Sequence, residues 1–267
     1  MSDSELVAKE VRSARILGVP VSLVDLQTAG KKISEWALKE ASAHTVFVRD
    51  TPSLMLISEQ PDLLALHEKA NLVVADGTPL VWIFRMRGWG SEIGRVPGAD
   101  LLDFVCKLSL STGQGHFFYG GQATVAQTMA DLLLAKYPGL KIAGVCSPPM
   151  LDIGPNFELT GPNLQEVERI RESRADFVWV GMSSPKQEYW IGKAAPIVGK
   201  GVFIGVGAAF DFHSGRVRRA PAWMRNHGLE WFYRLLREPR RLWRRYLVLA
   251  PRFVFKALLE LIRNEDK

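Results

Sequence analysis

Apolar residues along this chain come in short unbroken runs. They recur at 45–50 (TVFVRD), 72–76 (LVVAD), 116–121 (HFFYGG), 141–147 (KIAGVCS), 176–182 (DFVWVGM) and 201–206 (GVFIGV). A strand with one wet face would alternate apolar and polar positions. Continuous runs predict strands covered on both faces. Segments with helical spacing lie between them. Over 123–137, Val125, Met129, Leu132, Leu133 and Tyr137 fall near one side, and Pro138-Gly139 is a stop signal. The stretch 163–175 (NLQEVERIRESRA) predicts an exposed, charged helix with an Asn cap. This rhythm predicts an α/β domain over 1–215, a mainly parallel Rossmann-like sheet with helices on both faces.

The pattern changes after Gly215. Residues 216–267 read as a basic, amphipathic, helical C-terminal appendage. Between Arg216 and Lys256 there are eleven Arg and one Lys against two Glu. The whole chain carries only +6, so the rest is mildly acidic. On a helix, Arg241, Arg245, Arg252, Lys256 and Arg263 fall within about 60° of one another. Leu242, Trp243, Tyr246, Leu247, Leu249, Phe253, Val254, Leu258 and Leu261 fill much of the remainder. Pro251 should kink or split the helix. A basic stripe beside an apolar, aromatic face suits an anionic membrane surface. A nucleic-acid-binding tail would carry more polar residues beside its arginines, so nucleic acid is not the expected partner.

The N-terminus MSDSELVAKEVRSARI lacks the apolar core of a signal peptide, and no run reaches the roughly 18 apolar residues of a membrane span. The expected location is peripheral, on the cytoplasmic face of the cell membrane. Cys106 and Cys146 form no CxxC and are expected to be reduced and buried.

Ligands of such sheets sit beyond the carboxyl ends of the strands. That rule selects four segments. Asp76, before Gly77, could act as a general base, or could cap the helix that starts near Pro79. Gly120, Gly121 and Gln122 could cradle a phosphate at a helix start, or form a plain turn. The turn that holds Gly181, Ser183, Pro185, Lys186 and Gln187 offers donors for a nucleotide or sugar beside a helix start. Ser184, Pro185 and Gln187 could equally be a capping box. Gly207 lies in the fourth segment.

Several chemistries are disfavoured. There is no HExxH, DxD or histidine pair at metal spacing, so no metal and no cofactor is expected. There is no P-loop and no GxSxG elbow. The missing GxGxxG argues against the main alternative, a nucleotide-cofactor oxidoreductase.

At these residues the chain resembles the WecG/TagA/CpsF glycosyltransferases (glycosyltransferase family 26). The pieces that carry the resemblance are ADGTPLVW (75–82), RVPGADL (95–101), FFYGGQ (117–122), SPP (147–149), VGMSSPKQE (180–188), GVGAAFDFHSGRVRRAP (205–221) and LEWFYRLLREPRRLWRRY (229–246). Their order and combination are specific. The resemblance implies inverting, metal-independent transfer from a UDP-sugar to a polyprenyl-diphosphate-linked saccharide in cell-envelope or exopolysaccharide synthesis. The sugar would be of hexose, N-acetylhexosamine or uronic acid type. Asp76 matches the family's proposed base, and Gln187 matches its active-site glutamine. Arg95 matches an arginine on the acceptor or phosphate side. Arg234, Arg241 and Arg244, with Arg245 beside them, match basic residues of an appendage that completes the site and docks on the membrane. Some members self-associate, so a homo-oligomer is a possible partner arrangement. Where many members carry Thr-x-Asn, this chain has Val48-Arg49-Asp50-Thr51-Pro52-Ser53, so contacts of that segment do not carry over.

Overall fold

A computed structural model describes residues 11–39, 42–89, 93–149 and 152–265. The N-terminal segment 1–10, read above as lacking a signal peptide, lies outside the described residues. The described chain opens with a hairpin, β1 (Ser13–Ile16) and β2 (Val19–Ser22), then α1 (Leu26–Lys39) and β3 (His44–Arg49). Next come α2 (Thr51–Glu59), α3 (Pro61–Glu68), β4 (Leu72–Ala75), α4 (Thr78–Met86), α5 (Gly98–Thr112) and β5 (Gly115–Gly120). Helix α6 (Val125–Lys136), β6 (Lys141–Cys146), α7 (Pro162–Ser173), β7 (Phe177–Gly181), α8 (Lys186–Val198), β8 (Val202–Gly205) and α9 (Ala209–His213) complete the α/β body.

The main sheet has the order β4-β3-β8-β7-β5-β6, and its neighbours pair in parallel. Helices cover both faces, as the unbroken apolar runs predict. Alternate residues of β7 feed two cores: Val178 and Val180 join one, Phe177 and Trp179 the other. The first core takes α2, α3, α4, α7 and α8, the second α1, α5 and α6. Trp190 stacks on Tyr119 with ring centroids 4.0 Å apart. Fully burying side chains of this kind contributes about 1.5–3 kcal/mol each. Both cysteines are buried and unpaired.

Beyond Gly215 the chain is helical: α10 (Ala222–Asn226), α11 (Glu230–Arg237), α12 (Pro239–Trp243), a π-helical turn (Arg244–Leu249) and α13 (Ala250–Glu265). Pro251 does not break this run. It has no N–H, so the ordinary ladder fails one turn earlier. The wider turn absorbs the defect, and the Ala250 N–H bonds the Arg245 carbonyl. Phe253 and Ala257 of α13 are fully buried in the first core, so the tail packs on the body.

The basic stripe is shared between the body and solvent: Arg245 is 32% exposed, Arg252 52%. Arg245 pairs with Asp50, while Arg252 and Lys256 both reach Glu59. Periodicity gives the stripe but not its direction; two carboxylates at the ends of α2 set that. Apolar residues share the outward side with the exposed arginines. Trp243, Leu247, Phe255, Leu259 and Ile262 are exposed along it. Among the described residues no helix is long and apolar enough to cross a membrane.

Candidate active site

Four adjacent strands, β4, β3, β8 and β7, deliver their carboxyl ends to one cavity of about 740 Å³. Each strand is followed by a tight connection, so each presents its next few residues there. Asp50 and Ser53 follow β3, Asp76 and Thr78 follow β4, Ser183 and Ser184 follow β7, and Gly207 follows β8. The tail forms the opposite wall with Arg234, Arg241, Arg245 and Tyr246. Its outer rim is apolar, with Trp231, Pro251, Val254, Phe255 and Leu258.

Asp76 is fixed by its backbone. Its N–H donates to the Arg49 carbonyl at 2.8 Å, and its carbonyl accepts from Arg95 Nε at 2.8 Å. It does not cap α4: the cap position is Gly77, with no side-chain bond. Its carboxylate is 38% accessible, and Arg95 Nη2 approaches it at 3.5 Å. Burial raises the Asp76 pKa to about 6; Arg95 and Arg234 pull it down, while Asp50 and Glu230 push it up. That value suits a proton acceptor near neutral pH.

Asp50 behaves oppositely. It caps α2, taking the Ser53 N–H at 3.0 Å and the Ser53 hydroxyl at 2.6 Å. Burial pushes its carboxyl up, but the Arg245 guanidinium and the Ser53 bonds hold it at about 2. Two neighbouring carboxylates thus differ in proton affinity, a pattern associated with acid–base sites.

The arginines divide by what they already hold. Arg95 also donates to the Arg225 carbonyl at 2.9 Å and to Glu230 at 3.3 Å. It ties Asp76 to the start of the tail. Arg219 joins Glu230 at 3.2 Å and pairs with Asp100. Arg241 pairs with Glu238 in its own helix segment. Arg234 lies over the Phe212 ring at 5.4 Å, and its Nε has no hydrogen-bond partner. Helices α4 and α5 begin at the cavity without side-chain caps. Such N-termini favour an anion.

Gln187 lines the cavity, and both of its polar side-chain atoms are bonded within the protein. Its amide donates to Glu188 at 2.8 Å, and its oxygen accepts the Gly207 N–H at 3.0 Å. It holds the β8 turn against α8. Ser184 makes no capping box: α8 starts at Lys186 after Pro185, and the Ser184 hydroxyl accepts from Arg49 at 3.2 Å.

Of the residues singled out in the sequence, the cavity gathers Asp76, Gln187, Ser183, Gly207, Arg95, Arg234, Arg241 and Arg245. Gly120, Gly121, Gln122, Gly181, Pro185, Lys186 and Arg244 do not line it. Packing accounts for the glycines. Gly120 has φ +120, and a Cβ there would sit 2.8 Å from the Gly181 backbone. A Cβ on Gly181 would sit 2.4 Å from the Phe210 ring. Sequence reasoning missed Asp50 and Ser53. Asp-Thr-Pro at a strand end was the available signal, since Asp then Pro marks a helix start.

Comparison with known proteins agrees with this geometry. The model described as the "Glycosyl transferase WecG/TagA/CpsF family" matches residues 14–267. An N-acetylglucosaminyldiphosphoundecaprenol N-acetyl-beta-D-mannosaminyltransferase of Bacillus subtilis (strain 168) is 29% identical over 199 residues, 74% of this chain and 73% of that protein. The protein of the same description from Bacillus spizizenii is 30% identical over 200 residues, 75% of this chain and 73% of its own length. With its family model matching nearly end to end, the chain belongs to the WecG/TagA/CpsF family of glycosyl transferases.

Proposed function

We propose that this glycosyltransferase moves a sugar from a UDP-sugar to a polyprenyl-diphosphate-linked saccharide, with inversion and without a metal. One observation carries the reading: Asp76 and the tail arginines Arg234 and Arg241 line one cavity whose rim is apolar. The relatives' names, which specify N-acetylmannosaminyl transfer to a diphosphoundecaprenol-linked sugar, support the N-acetylhexosamine part of the expected range.

The chemistry follows from the walls. Asp76 takes the proton of an acceptor hydroxyl. The hydroxyl oxygen attacks the anomeric carbon from the face opposite UDP, and the bond to the β-phosphate oxygen breaks. The departing diphosphate gains negative charge, which Arg234 and the starts of α4 and α5 meet. The apolar rim passes the lipid portion toward the outward apolar side of the tail. Arg95 and Gln187 hold the framework around the two substrates. The test is a donor screen with a synthetic lipid-diphosphate saccharide, reading released UDP. UDP should raise the melting temperature and NAD should not. Stabilisation by NAD with no UDP response would return the oxidoreductase reading.

The base must be ionised to work. With Asp76 raised to about 6, kcat/KM is expected to rise with pH through about 6 and then level off. A profile flat from pH 5 to 8 would remove Asp76 from the proton step.

The outward apolar stripe is proposed as the membrane side, on the cytoplasmic face. Flotation with anionic vesicles should retain the wild-type chain. Leu247→Glu with Ile262→Glu, both outward and exposed, should release it into the soluble fraction. Equal flotation of that variant would place membrane contact elsewhere.

A further inference from the structure

Arg245 ties the tail to the body by side-chain hydrogen bonds to two residues at the start of α2. Its Nη2 lies 2.8 and 2.9 Å from the two Asp50 carboxylate oxygens and 2.9 Å from the Ser53 hydroxyl, and its Nε is 3.2 Å from Asp50. The partners stand 195 positions apart. They are only 32% and 21% exposed, so water weakens this pair less than a surface ion pair. A guanidinium gripping both oxygens of one carboxylate also fixes orientation.

The position of the pair matters as much as its strength. Asp50 begins α2, one residue beyond the strand whose carbonyl anchors Asp76. Arg245 comes from the π-helical turn. That turn also carries Tyr246, another wall of the cavity. Arg234 and Arg241, the arginines that face the cavity from α11 and α12, lie on the segments leading into this turn. Behind it, Arg252 and Lys256 share Glu59, with side chains 52% and 40% exposed.

We propose that Asp50, Ser53 and Arg245 form a clasp that holds the tail over the reaction cavity, with Asp50 a positioning residue for the arginines opposite Asp76. The proposal rests on the catalytic reading above only for its activity arm. It assigns a role to the segment where this chain departs from Thr-x-Asn. It also commits the Nε and Nη2 of Arg245 to Asp50 and Ser53, so that only Nη1 is left to meet a substrate phosphate.

Asp50→Asn is the sharpest variant. Asparagine caps a helix as well as aspartate does, so α2 keeps its start while the charge on the clasp is lost. Arg245→Gln breaks the clasp from the other side and leaves the cap untouched. Hydrogen exchange in each full-length variant should speed up about tenfold in 239–258 and stay unchanged in the β5 and β7 strands. The double variant should exchange no faster than either single one. Acceptor KM should rise about tenfold, while UDP affinity measured by calorimetry stays at the wild-type value. Arg245→Lys, which retains the charge, should recover part of the acceptor KM.

Two results would overturn the clasp. One is wild-type exchange of 239–258 in both single variants. The other is additive effects in the double variant. The exchange arm needs no turnover, so it gives its answer even if the donor screen fails. Faster exchange with no activity in any form would keep the clasp and reject the transferase chemistry.

Discussion

Replacing Asp76 with Asn is expected to lower kcat by about 10²–10⁴-fold, the usual worth of general-base assistance, while UDP affinity stays within about twofold of wild type. The geometry explains why the loss should fall on kcat. The Asp76 backbone ties β4 to β3 and makes the shorter bond to Arg95, 2.8 Å against 3.5 Å for the carboxylate. Asparagine keeps those bonds and the side-chain shape. It removes only the proton acceptor and one negative charge. Losing that charge leaves Arg95 and Arg234 less neutralised, which should favour an anionic donor if it changes binding at all. Steady-state kinetics with calorimetry separates the two effects. Wild-type turnover in Asp76→Asn would end the proposed mechanism. A loss confined to UDP binding would make Asp76 a binding group instead. The pH profile adds an internal control: the rise near pH 6 should vanish from the residual activity.

The sheet was legible because five of its strands are covered on both faces, and such strands leave unbroken apolar runs. The edge strand β6 is less buried, yet KIAGVCS still marked it. The hairpin 13–22 went unread because SARILGVPVS breaks its short strands with Gly and Pro. Helices α2 and α3 also escaped, since few of their residues alternate in a way that marks one face. Asp76 was legible as a site residue because strand-end position is a local property. The roles of Gln187 and Arg95 were not. Each depends on a backbone partner distant in sequence, Gly207 for the one and Arg225 for the other. The facing of the tail stripe was hidden for the same reason. The glycines at 120, 121 and 181 suggested a phosphate loop, whereas Gly120 and Gly181 are required by the close approach of β5 and β7 and by the Phe210 ring.

Arg49→Ala is expected to destabilise the fold by about 3–5 kcal/mol, the largest stability effect of any single change named here. Arg49 and Glu188 are each 1% exposed, and they pair with one another. Arg49 also donates to Ser184 at 3.2 Å and lies over the Phe47 ring at 5.5 Å. Removing it leaves a buried carboxylate without its guanidinium partner. The cost arises mainly from that stranded charge, not from the net worth of the pair. Arg49 Nε and Glu188 Oε2 have no hydrogen-bond partner, so the pair itself is imperfectly compensated. Arg49→Met combined with Glu188→Leu should therefore recover most of the lost stability, because it strands nothing. The pH dependence should follow. Burial alone would raise Glu188, but Arg49, the Gln187 bond and His67 together hold it below the usual carboxylate range. A depressed carboxylate stabilises the fold above its unfolded pKa, about 4.3. That contribution is lost as pH falls through the lower folded value, so the wild-type chain should weaken in acid more than the Met/Leu double variant. Urea titrations at pH 7 and at about pH 3, below the unfolded carboxylate value, on the four proteins of the cycle measure all of this. A cost below about 1 kcal/mol for Arg49→Ala would mean that Glu188 finds water or another cation, and the pair would then be dispensable to the framework that Gln187 and Gly207 share.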